Sequence, residues 1–407
     1  MAQAAERFIS TQIGSMKKAE IIIVGGGVVG ASVAYHLTQR GVSDVLILDR
    51  EQRQGCGSTG RATGGVRAQF GTDINIRMSL YSIDFFENCG FYTGYDPRGY
   101  LFFATDEAQL GLLKANAARQ NELGVTGLHL LDAKAVADLV PGLRCEDIAG
   151  AVFGERDGFI DPLAVMQGFT ASAVDRGARL RLGTPVDSIN VSGGRVRSVT
   201  AGGETVECSA VVLCGGAWAG TLAATAGIEL PLEPVRRQIV WARTREPLPP
   251  NLPMVIDVGT GFHFRPAREF GGGPGVPQSA HDVLFAYPDA EERSSFNTEF
   301  DDGFTPKVYG HARRRAAFLA ESEPVRDKCR AGLYENTPDH HAIIGKSPVE
   351  GLFLANGFSG HGVMHSPASG RAVAEIILDG GSKFIDVSCL SFDRFAEGKL
   401  IHENAFI

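Results

Sequence analysis

The chain has 407 residues, 44% of them hydrophobic and 21% charged, a composition typical of globular proteins and a length sufficient for two domains. A formal net charge of −8 provides no broad basic surface, and the basic block at 313–315 is predicted to be a solvated helix face, so nucleic-acid binding is not expected. The seven cysteines are scattered and none form a Cys-x-x-Cys pair, so we expect neither a disulfide framework nor a metal site. No apolar run reaches the roughly 18 residues that a membrane span needs. Because the N-terminus also lacks an apolar signal core, we expect a cytoplasmic protein.

The first recognisable unit is a strand, a glycine-rich turn, a helix and a second strand within residues 20–50. The apolar runs at 21–24 and 45–48 are typical of parallel strands that are buried on both faces. The turn carries the Gly-x-Gly-x-x-Gly pattern, formed by Gly25, Gly27 and Gly30. This pattern lets a pyrophosphate approach the backbone, and Asp49 at the tip of the second strand is placed to accept hydrogen bonds from a ribose. The segment predicts a dinucleotide site; a glycine-rich turn without a ligand is the alternative.

The next segment, GCGSTGRATGGVRAQFGT at 55–72, combines small and hydroxyl residues with Arg61 and Arg67. We predict an extended loop that is rich in backbone amides and suited to lie along a phosphate and a flat ring. A simple NAD-binding domain would instead continue into another strand, helix and strand, so this loop favours FAD. A mobile surface loop is the alternative.

The remaining segments predict further parts of this domain and a second, β-rich domain. Elements are expected, in chain order, at 79–90 (helix), 99–105 (strand), 106–140 (helical), 161–177 (helix), 179–182, 186–191 and 195–200 (strands) and 209–220 (buried strand). The helix at 161–177 should be capped by Asp161, with Pro162 at its first position. The glycine cluster at 271–275 follows no strand and opens no helix, so it is not a second nucleotide fingerprint. Electrons are therefore expected to come from a small substrate and to leave to oxygen or a protein carrier.

The stretch GFSGHGVMHSPASGR at 357–371 precedes an apolar pattern with helical spacing. A glycine-rich turn that leads into a helix N-terminus supplies unpaired amides and about half a positive charge. Hydride transfer to flavin N5 leaves negative charge at N1 and at the C2 carbonyl. We therefore predict that this turn stabilises the reduced ring.

Together these segments resemble the D-amino acid oxidase superfamily of flavoproteins, in particular its sarcosine oxidase, dimethylglycine dehydrogenase and proline dehydrogenase branch. The motifs are GSTGRATGGVRAQFG, GFIDPLAVMQG, VVLCGGAWAG, GLYENTPDHHAIIG and GLFLANGFSGHGVMHSPASGRAVAEIIL. The ending FDRFAEGKLIHENAFI also resembles bacterial β subunits of heteromeric sarcosine oxidases and a mitochondrial assembly protein of a respiratory complex.

The resemblance implies an α/β (mixed α+β) fold, with a Rossmann-like FAD-binding domain assembled from discontinuous segments and a β-rich substrate or cap domain. The implied divisions are 19–90, 150–225 and 325–385 for FAD binding, 91–149 and 226–324 for the substrate domain, and 386–407 for a tail that packs on the FAD domain.

The resemblance also implies where FAD binds. The cofactor-binding positions are Gly25, Gly27, Val28, Val29, Gly30, Asp49, Arg50, Ser58, Thr59, Arg61, Ala62, Thr63, Gly64, Gly65, Val186, Gly215, Trp218, Gly332, Gly357, Ser359, Gly360, His361, Gly362 and Val363. Gly332 occupies the position of the cysteine that links flavin covalently in monomeric sarcosine oxidases, and Cys329 lies three residues too early. The FAD is therefore expected to be noncovalent.

On the substrate side, the resemblance assigns Arg67 as the clamp for a substrate carboxylate, a role that suits a bidentate guanidinium. Tyr334 matches a tyrosine of the sarcosine oxidases, where glycine and D-amino acid oxidases have an arginine. A lysine associated with oxygen activation falls near His263, and a lysine that holds the carboxylate falls on Met364. His365 is a further candidate donor, with a structural histidine as the alternative.

The implied activity is oxidation of the C–N bond of a small secondary or N-methylated amino acid, such as sarcosine, dimethylglycine or proline, by hydride transfer to FAD. The two missing lysines leave oxidase and dehydrogenase open. A 2-hydroxy acid or polyol oxidoreductase on the same fold and a flavin-binding assembly protein with little turnover are the alternatives. The partners expected are a small amine or amino acid and oxygen or an electron-carrier protein, with a hetero-oligomer as a further option.

Overall fold

The computed structural model describes residues 17–276 and 278–404. Its strands are, in chain order, β1 (Ile21–Val24), β2 (Val45–Leu48), β3 (Gly65–Val66), β4 (Tyr100–Ala104), β5 (Leu128–Leu131), β6 (Gly150–Gly154), β7 (Gly158–Phe159), β8 (Arg179–Arg181), β9 (Val186–Ser192), β10 (Arg195–Ala201), β11 (Glu204–Glu207), β12 (Ala210–Leu213), β13 (Glu233–Arg243), β14 (Met254–Asp257), β15 (His263–Pro266), β16 (Asp282–Ala286), β17 (Glu323–Pro324), β18 (Arg330–Asn336), β19 (Ile343–Lys346) and β20 (Leu352–Asn356). Its helices are α1 (Val28–Gln39), α2 (Ser58–Arg61), α3 (Asp73–Asn88), α4 (Glu107–Glu122), α5 (Ala133–Leu139), α6 (Pro162–Val174), α7 (Ala219–Thr225), α8 (Phe304–Arg315), α9 (Ala317–Ala320) and α10 (Gly362–Asp379). Short 3₁₀ turns occupy Gly216–Trp218, Arg326–Lys328, Ser388–Leu390 and Phe392–Arg394.

A six-stranded sheet carries the glycine turn, with its strands in the spatial order β19–β20–β12–β1–β2–β8. The five strands from β20 to β8 are parallel and β19 is antiparallel. Alternate side chains of β1 point to opposite faces: Ile21 and Ile23 pack against α1 and α10, whereas Ile22 and Val24 pack against α7 and the small sheet β9–β11. Because both faces of its centre are covered, the central strands β1, β2 and β12 are apolar throughout.

A nine-stranded sheet forms the second layer, in the order β17–β13–β16–β15–β14–β4–β6–β5 with β18 paired to β13. Leu101 and Val255 face a core that also contains side chains of α8. Their neighbours Tyr100, Met254 and Ile256 belong to a separate cluster on the other face. Because side chains alternate along its strands, one face of this sheet packs on its own core and the other face points towards the six-stranded sheet.

The sequence predicted most elements and missed some bounds. The helix expected at 79–90 begins at Asp73, and the helical region expected at 106–140 contains strand β5 between α4 and α5. Helix α6 starts as predicted, because Asp161 Oδ1 accepts hydrogen bonds of 3.0 Å from the amides of Leu163 and Ala164. The segment 55–72 is not an extended loop, since it contains helix α2 and strand β3.

Arg315 corrects the prediction that 313–315 is a solvated helix face. Its side chain is 10% exposed and forms ion pairs with Asp147 at 2.7 Å and Asp257 at 3.0 Å. Successive helical positions are about 100° apart, so the third arginine points to the sheet while Arg313 and Arg314 stay exposed.

The division of the chain into domains remains a proposal. Strands β6 and β18 pair within the nine-stranded sheet, although the proposed FAD-binding segments 150–225 and 325–385 contain them. If the domains were divided by sheet, these two FAD-binding segments would begin after β6 and after β18. The proposed tail contacts the rest of the chain through Arg394, which pairs with Asp339 at 2.8 Å, and Glu403, which accepts a 2.7 Å hydrogen bond from the Gly71 amide.

All seven cysteines have free thiols. Over residues 17–276 and 278–404, no group of three or more His, Cys, Asp or Glu side chains is placed to hold a metal ion. In the same part of the chain, no helix combines the length and the apolar character that crossing a membrane requires.

Candidate functional site

A cavity of about 540 Å³ lies between the two large sheets. Its walls include the carboxyl ends of β1, β2, β12 and β20 and the inward-facing residues of β4 and β14. Ligands of open parallel sheets bind outside the carboxyl ends of the strands, and this volume is within the usual range of small-molecule sites. The cavity therefore joins a nucleotide-type edge to the face of the second sheet.

The glycine turn after β1 is shaped by close contacts within the protein. Gly25 has φ +108°, and a Cβ at this position would overlap the carbonyl of Cys214. A Cβ at Gly30 would overlap the carbonyl of Gly25, so Gly30 serves packing and does not line the cavity. The amide of Val28 donates a 3.1 Å hydrogen bond to Thr59 Oγ1, which ties α1 to α2. Bulkier residues would therefore push this turn apart.

Asp49 lines the same edge and is held by backbone amides. Its Oδ2 accepts a 2.7 Å hydrogen bond from Gly26, and its Oδ1 accepts a 2.8 Å bond from Glu51. Nearby, the Arg50 guanidinium carbon lies 3.6 Å from the centre of the Trp218 ring. The carboxylate keeps free lone pairs for hydroxyl groups, and the stacked pair offers a flat surface for a base.

Arginine side chains fix the backbone of the segment after α2. Arg330 donates to the carbonyls of Arg61 at 3.2 Å and Ala62 at 3.0 Å, and Arg265 donates to the carbonyl of Thr63. Burial lowers the pKa of Arg265 to about 9 and that of Arg330 to about 10. Because its carbonyls are bound and its residues line the cavity, this segment is not a mobile surface loop.

The glycine-rich turn before α10 borders the cavity through Phe358, Gly360 and His361. Gly360 has φ +95°, and a Cβ there would overlap the ring of Tyr334; a Cβ at Gly357 would overlap Thr337. Helix α10 starts directly after the turn and exposes its first residues to the cavity, namely Gly362, Val363 and Met364. The unpaired amides of a first helical turn are donors for a negatively charged group. These two glycines make room for the protein's own side chains, a role that the sequence did not suggest.

Arg67 follows β3 and lines the cavity, with 3% of its surface exposed. Its guanidinium carbon is 3.9 Å from the centre of the Phe70 ring and 5.2 Å from that of Phe102, and its Nη1 donates to the carbonyl of Gln69. Burial lowers the pKa of Arg67, an effect that nearby Tyr100 and acidic side chains oppose. The site therefore contains a positioned cation that two aromatic rings hold in place.

His263 and Tyr334 line the cavity near Arg67. His263 Nδ1 donates a 2.9 Å hydrogen bond to the carbonyl of Gly261, so its Nε2 is left as an acceptor. Burial lowers the pKa of His263, and the charge of Arg67 lowers it further. Burial raises the pKa of Tyr334, against the opposing effect of nearby arginines. At neutral pH both side chains are therefore uncharged.

His365 does not reach the cavity, which corrects its prediction as a catalytic candidate. It lies one turn into α10 against α3, where its Nε2 is 2.9 Å from Ser79 Oγ and burial lowers its pKa to about 3. His361 caps α10 and does line the cavity. Among the other predicted cofactor residues, Gly357 and Ser359 shape the turn without lining the cavity.

Comparisons with known proteins agree with this geometry. A model of the DAO family, described as FAD dependent oxidoreductase, matches residues 20–376. The chain belongs to this family. It is 33% identical to FAD-dependent oxidoreductase domain-containing protein 1 of Xenopus laevis, over 93% of this chain and 83% of that protein. It is 27% identical to mouse mitochondrial sarcosine dehydrogenase, over 89% of this chain but 40% of that protein. L-proline dehydrogenase from P. horikoshii is similar in structure, with a TM-score of 0.84, 27% identity and coverage of 95% of this chain and 100% of that one.

This DAO-family chain is thus an FAD-dependent oxidoreductase whose cavity fits the cofactor. The cavity wall includes Asp49 and Trp218, the glycine turn after β1, the first turn of α10, and Arg67 and Tyr334. The arrangement offers acceptors for ribose hydroxyls, amides for phosphates and a helix N-terminus for the electron-rich edge of the flavin.

The sequence missed several residues of the site. Arg237 and Glu335 line the cavity from β13 and β18, and the apolar part of the wall comes from Tyr100, Met254 and Ile256. Burial raises the pKa of Glu335 to about 7, against hydrogen bonds from the backbone amides of Phe358 and Gly357. Alternation along β13 would have placed Arg237 on the same face as Val235, but nothing in the sequence showed which face meets the cofactor.

Proposed function

We propose that the protein oxidises the C–N bond of a small secondary or N-methylated amino acid. The observation that carries the proposal is the buried Arg67 guanidinium, which lines the same cavity as the nucleotide-type turn and the N-terminus of α10. A cation in this position suits a carboxylate close to the flavin. Sarcosine dehydrogenase and L-proline dehydrogenase, two proteins that this chain resembles, are named for substrates with a secondary amine and a carboxylate.

When bound, FAD supplies the two-electron acceptor for the substrate carbon. Arg67 binds the substrate carboxylate and sets the orientation of the carbon next to the amine. Neutral His263 accepts a hydrogen bond from the amine through Nε2, and the apolar side chains of Met254 and Ile256 exclude water. The amine must be neutral to react, so the rate should rise with pH until the amine is deprotonated.

Gly332 and Cys329 support noncovalent FAD, and His263 supports an acceptor other than oxygen. The backbone of Gly332 lies beside Arg61, where it offers no thiol. Cys329 is buried away from the cavity, with its Sγ 3.7 Å from the carbonyl of Trp241. A neutral His263 also lacks the fixed charge of the lysine that the family resemblance associates with oxygen activation. We therefore propose a dehydrogenase with FAD that acid releases.

An anaerobic substrate screen tests this function. Purified protein is mixed with sarcosine, dimethylglycine, proline, glycine, D-amino acids and hydroxy acids, and loss of the flavin colour is recorded. Secondary amino acids should bleach the flavin, and air should restore its colour slowly. Bleaching by hydroxy acids alone would support the 2-hydroxy acid oxidoreductase instead, and bleaching by none of the compounds would favour the assembly protein. Retention of FAD on acid-precipitated protein would contradict the noncovalent assignment.

A further inference from the structure

A second arginine, Arg237, lines the same cavity as Arg67 and lies beside Tyr334. In the β13–β18 pair, Arg237 lies opposite Gly332 and Val235 lies opposite Tyr334. Residues two apart on a strand share a face, so Arg237 and Tyr334 project from the same side of this ribbon. The Arg237 guanidinium carbon lies 5.7 Å from the centre of the Tyr334 ring, and both residues line the cavity.

Two acidic side chains that follow β16 in the chain are paired with cations other than Arg237. Glu292 pairs with Arg236 at 2.7 Å, and Asp289 pairs with Lys307 at 3.0 Å. Glu335 is held by the backbone, with Oε1 accepting from the Phe358 amide at 3.4 Å. Within residues 17–276 and 278–404, Arg237 makes no ion pair and its Nη1 donates to the carbonyl of Arg236 at 3.2 Å.

A half-buried guanidinium that faces a binding cavity without a carboxylate partner is best matched by an anionic ligand. We expect the phosphates of FAD at the glycine turn after β1, whereas Arg237 belongs to the β13–β18 pair of the other large sheet. Arg237 and Arg67 both oppose the rise that burial causes in the pKa of Tyr334, and all three residues line the same cavity. The part of the cavity that contains Tyr334 therefore has two cations in its wall.

We propose that the substrate is an amino acid with a second carboxylate, and that Arg67 and Arg237 each bind one of its two carboxylates. This inference rests on the proposed function, because it specifies the class of amino acid. In the family pattern a lysine that holds the carboxylate falls at position 364, but here Met364 belongs to an apolar cluster with Val28 and Ala31. Arg237 would supply the missing cation from a different position in the cavity wall.

Binding of unreactive ligands tests the proposal without turnover. Holoenzyme is titrated with glutarate and with pentanoate, which have equal carbon number, and the change in the flavin absorption spectrum gives each Kd. Glutarate should bind about 10- to 100-fold more tightly, the range expected for one additional charged pair. Arg237→Gln should abolish this preference. Arg243→Gln, on the same strand but 58% exposed and paired with Asp282, should keep it.

The catalytic arm compares N-methylglutamate with N-methylalanine. Arg237→Gln should lower the ratio of kcat/KM for N-methylglutamate to kcat/KM for N-methylalanine about 10- to 100-fold. Arg237→Lys, which keeps the charge if the glutamine variant fails to fold, should retain part of the preference. Equal affinity of wild-type protein for glutarate and pentanoate, or loss of FAD from Arg237→Gln, would overturn the inference.

The two proposals fail in different ways. Oxidation of N-methylalanine and N-methylglutamate with equal efficiency would refute the dicarboxylate while leaving amine oxidation intact. Arg237-dependent binding of glutarate, without oxidation of any amine, would support the dicarboxylate site and refute amine oxidation.

Discussion

Replacing Arg67 with methionine removes the charge that the proposed function requires. Methionine keeps much of the side-chain length, so the pocket between Phe70 and Phe102 stays filled. In wild-type protein Arg67 is 3% exposed, so water competes poorly with the substrate carboxylate for its guanidinium. In Arg67→Met the carboxylate would enter the same pocket without a partner.

The size of the effect follows from this burial. Removing one member of a buried ion pair costs about 3–5 kcal/mol, and the lower end suits a cavity that must admit substrate. A loss of about 3 kcal/mol corresponds to a roughly 150-fold decrease in kcat/KM. Arg67→Lys keeps a charge but loses the planar fork and the stacking on Phe70, so a decrease of about tenfold is expected. The free energy of unfolding should fall by no more than about 1 kcal/mol, because the variant also removes a desolvated cation.

The assay compares an N-methylated amino acid with its uncharged amide. Arg67→Met should lower kcat/KM for the acid about 150-fold and change it little for the amide. Arg243→Gln serves as the control for loss of an arginine outside the cavity. Equal decreases for acid and amide would show that Arg67 supports the flavin or the fold instead of binding the carboxylate, and unchanged kinetics would place the carboxylate elsewhere.

Three further predictions concern packing and pH. Gly360→Ala places a methyl group against the Tyr334 ring, at a residue whose backbone is left-handed. The free energy of unfolding measured by urea titration should therefore fall by about 2 kcal/mol. An unchanged urea midpoint would contradict the tight packing. Burial raises the pKa of Glu335 from 4.5 to about 7. The FAD-free protein should therefore lose about 3 kcal/mol of its free energy of unfolding as pH rises from 4.5 to about 7. If the free energy of unfolding of Glu335→Gln fell with pH in parallel with wild type, the assignment would be refuted. Burial alone would raise the pKa of Asp339, but the bonds and charge of Arg394 outweigh it and lower the pKa from 3.8 to about 2. This pair therefore contributes about 2 kcal/mol above pH 4 that is lost as pH falls to about 2, and the stability difference between wild type and Asp339→Asn should shrink over the same interval; a constant difference would show that the shift is absent.

The sequence predicted the nucleotide end of the site well, because that chemistry depends on local order along the chain. A buried strand, three spaced glycines, a helix and Asp49 follow one another within about thirty residues, as expected for a dinucleotide-binding unit. The helix start at Gly362 and the cap at Asp161 were also predictable, since both depend on neighbouring residues. All of these features lie within residues 20–376, the part of the chain that the family model matches.

The substrate end could not be predicted in the same way, because it depends on which strand faces meet across the two sheets. Pairing of β13 with β18 brings Arg237 beside Tyr334, although about a hundred residues separate them in the chain. Packing of α10 against α3 turns His365 away from the cavity, while the preceding turn keeps His361 at its wall. Local sequence therefore determined the dinucleotide turn and its adjoining helix, whereas long-range strand pairing and helix packing decided which charged side chains face the substrate.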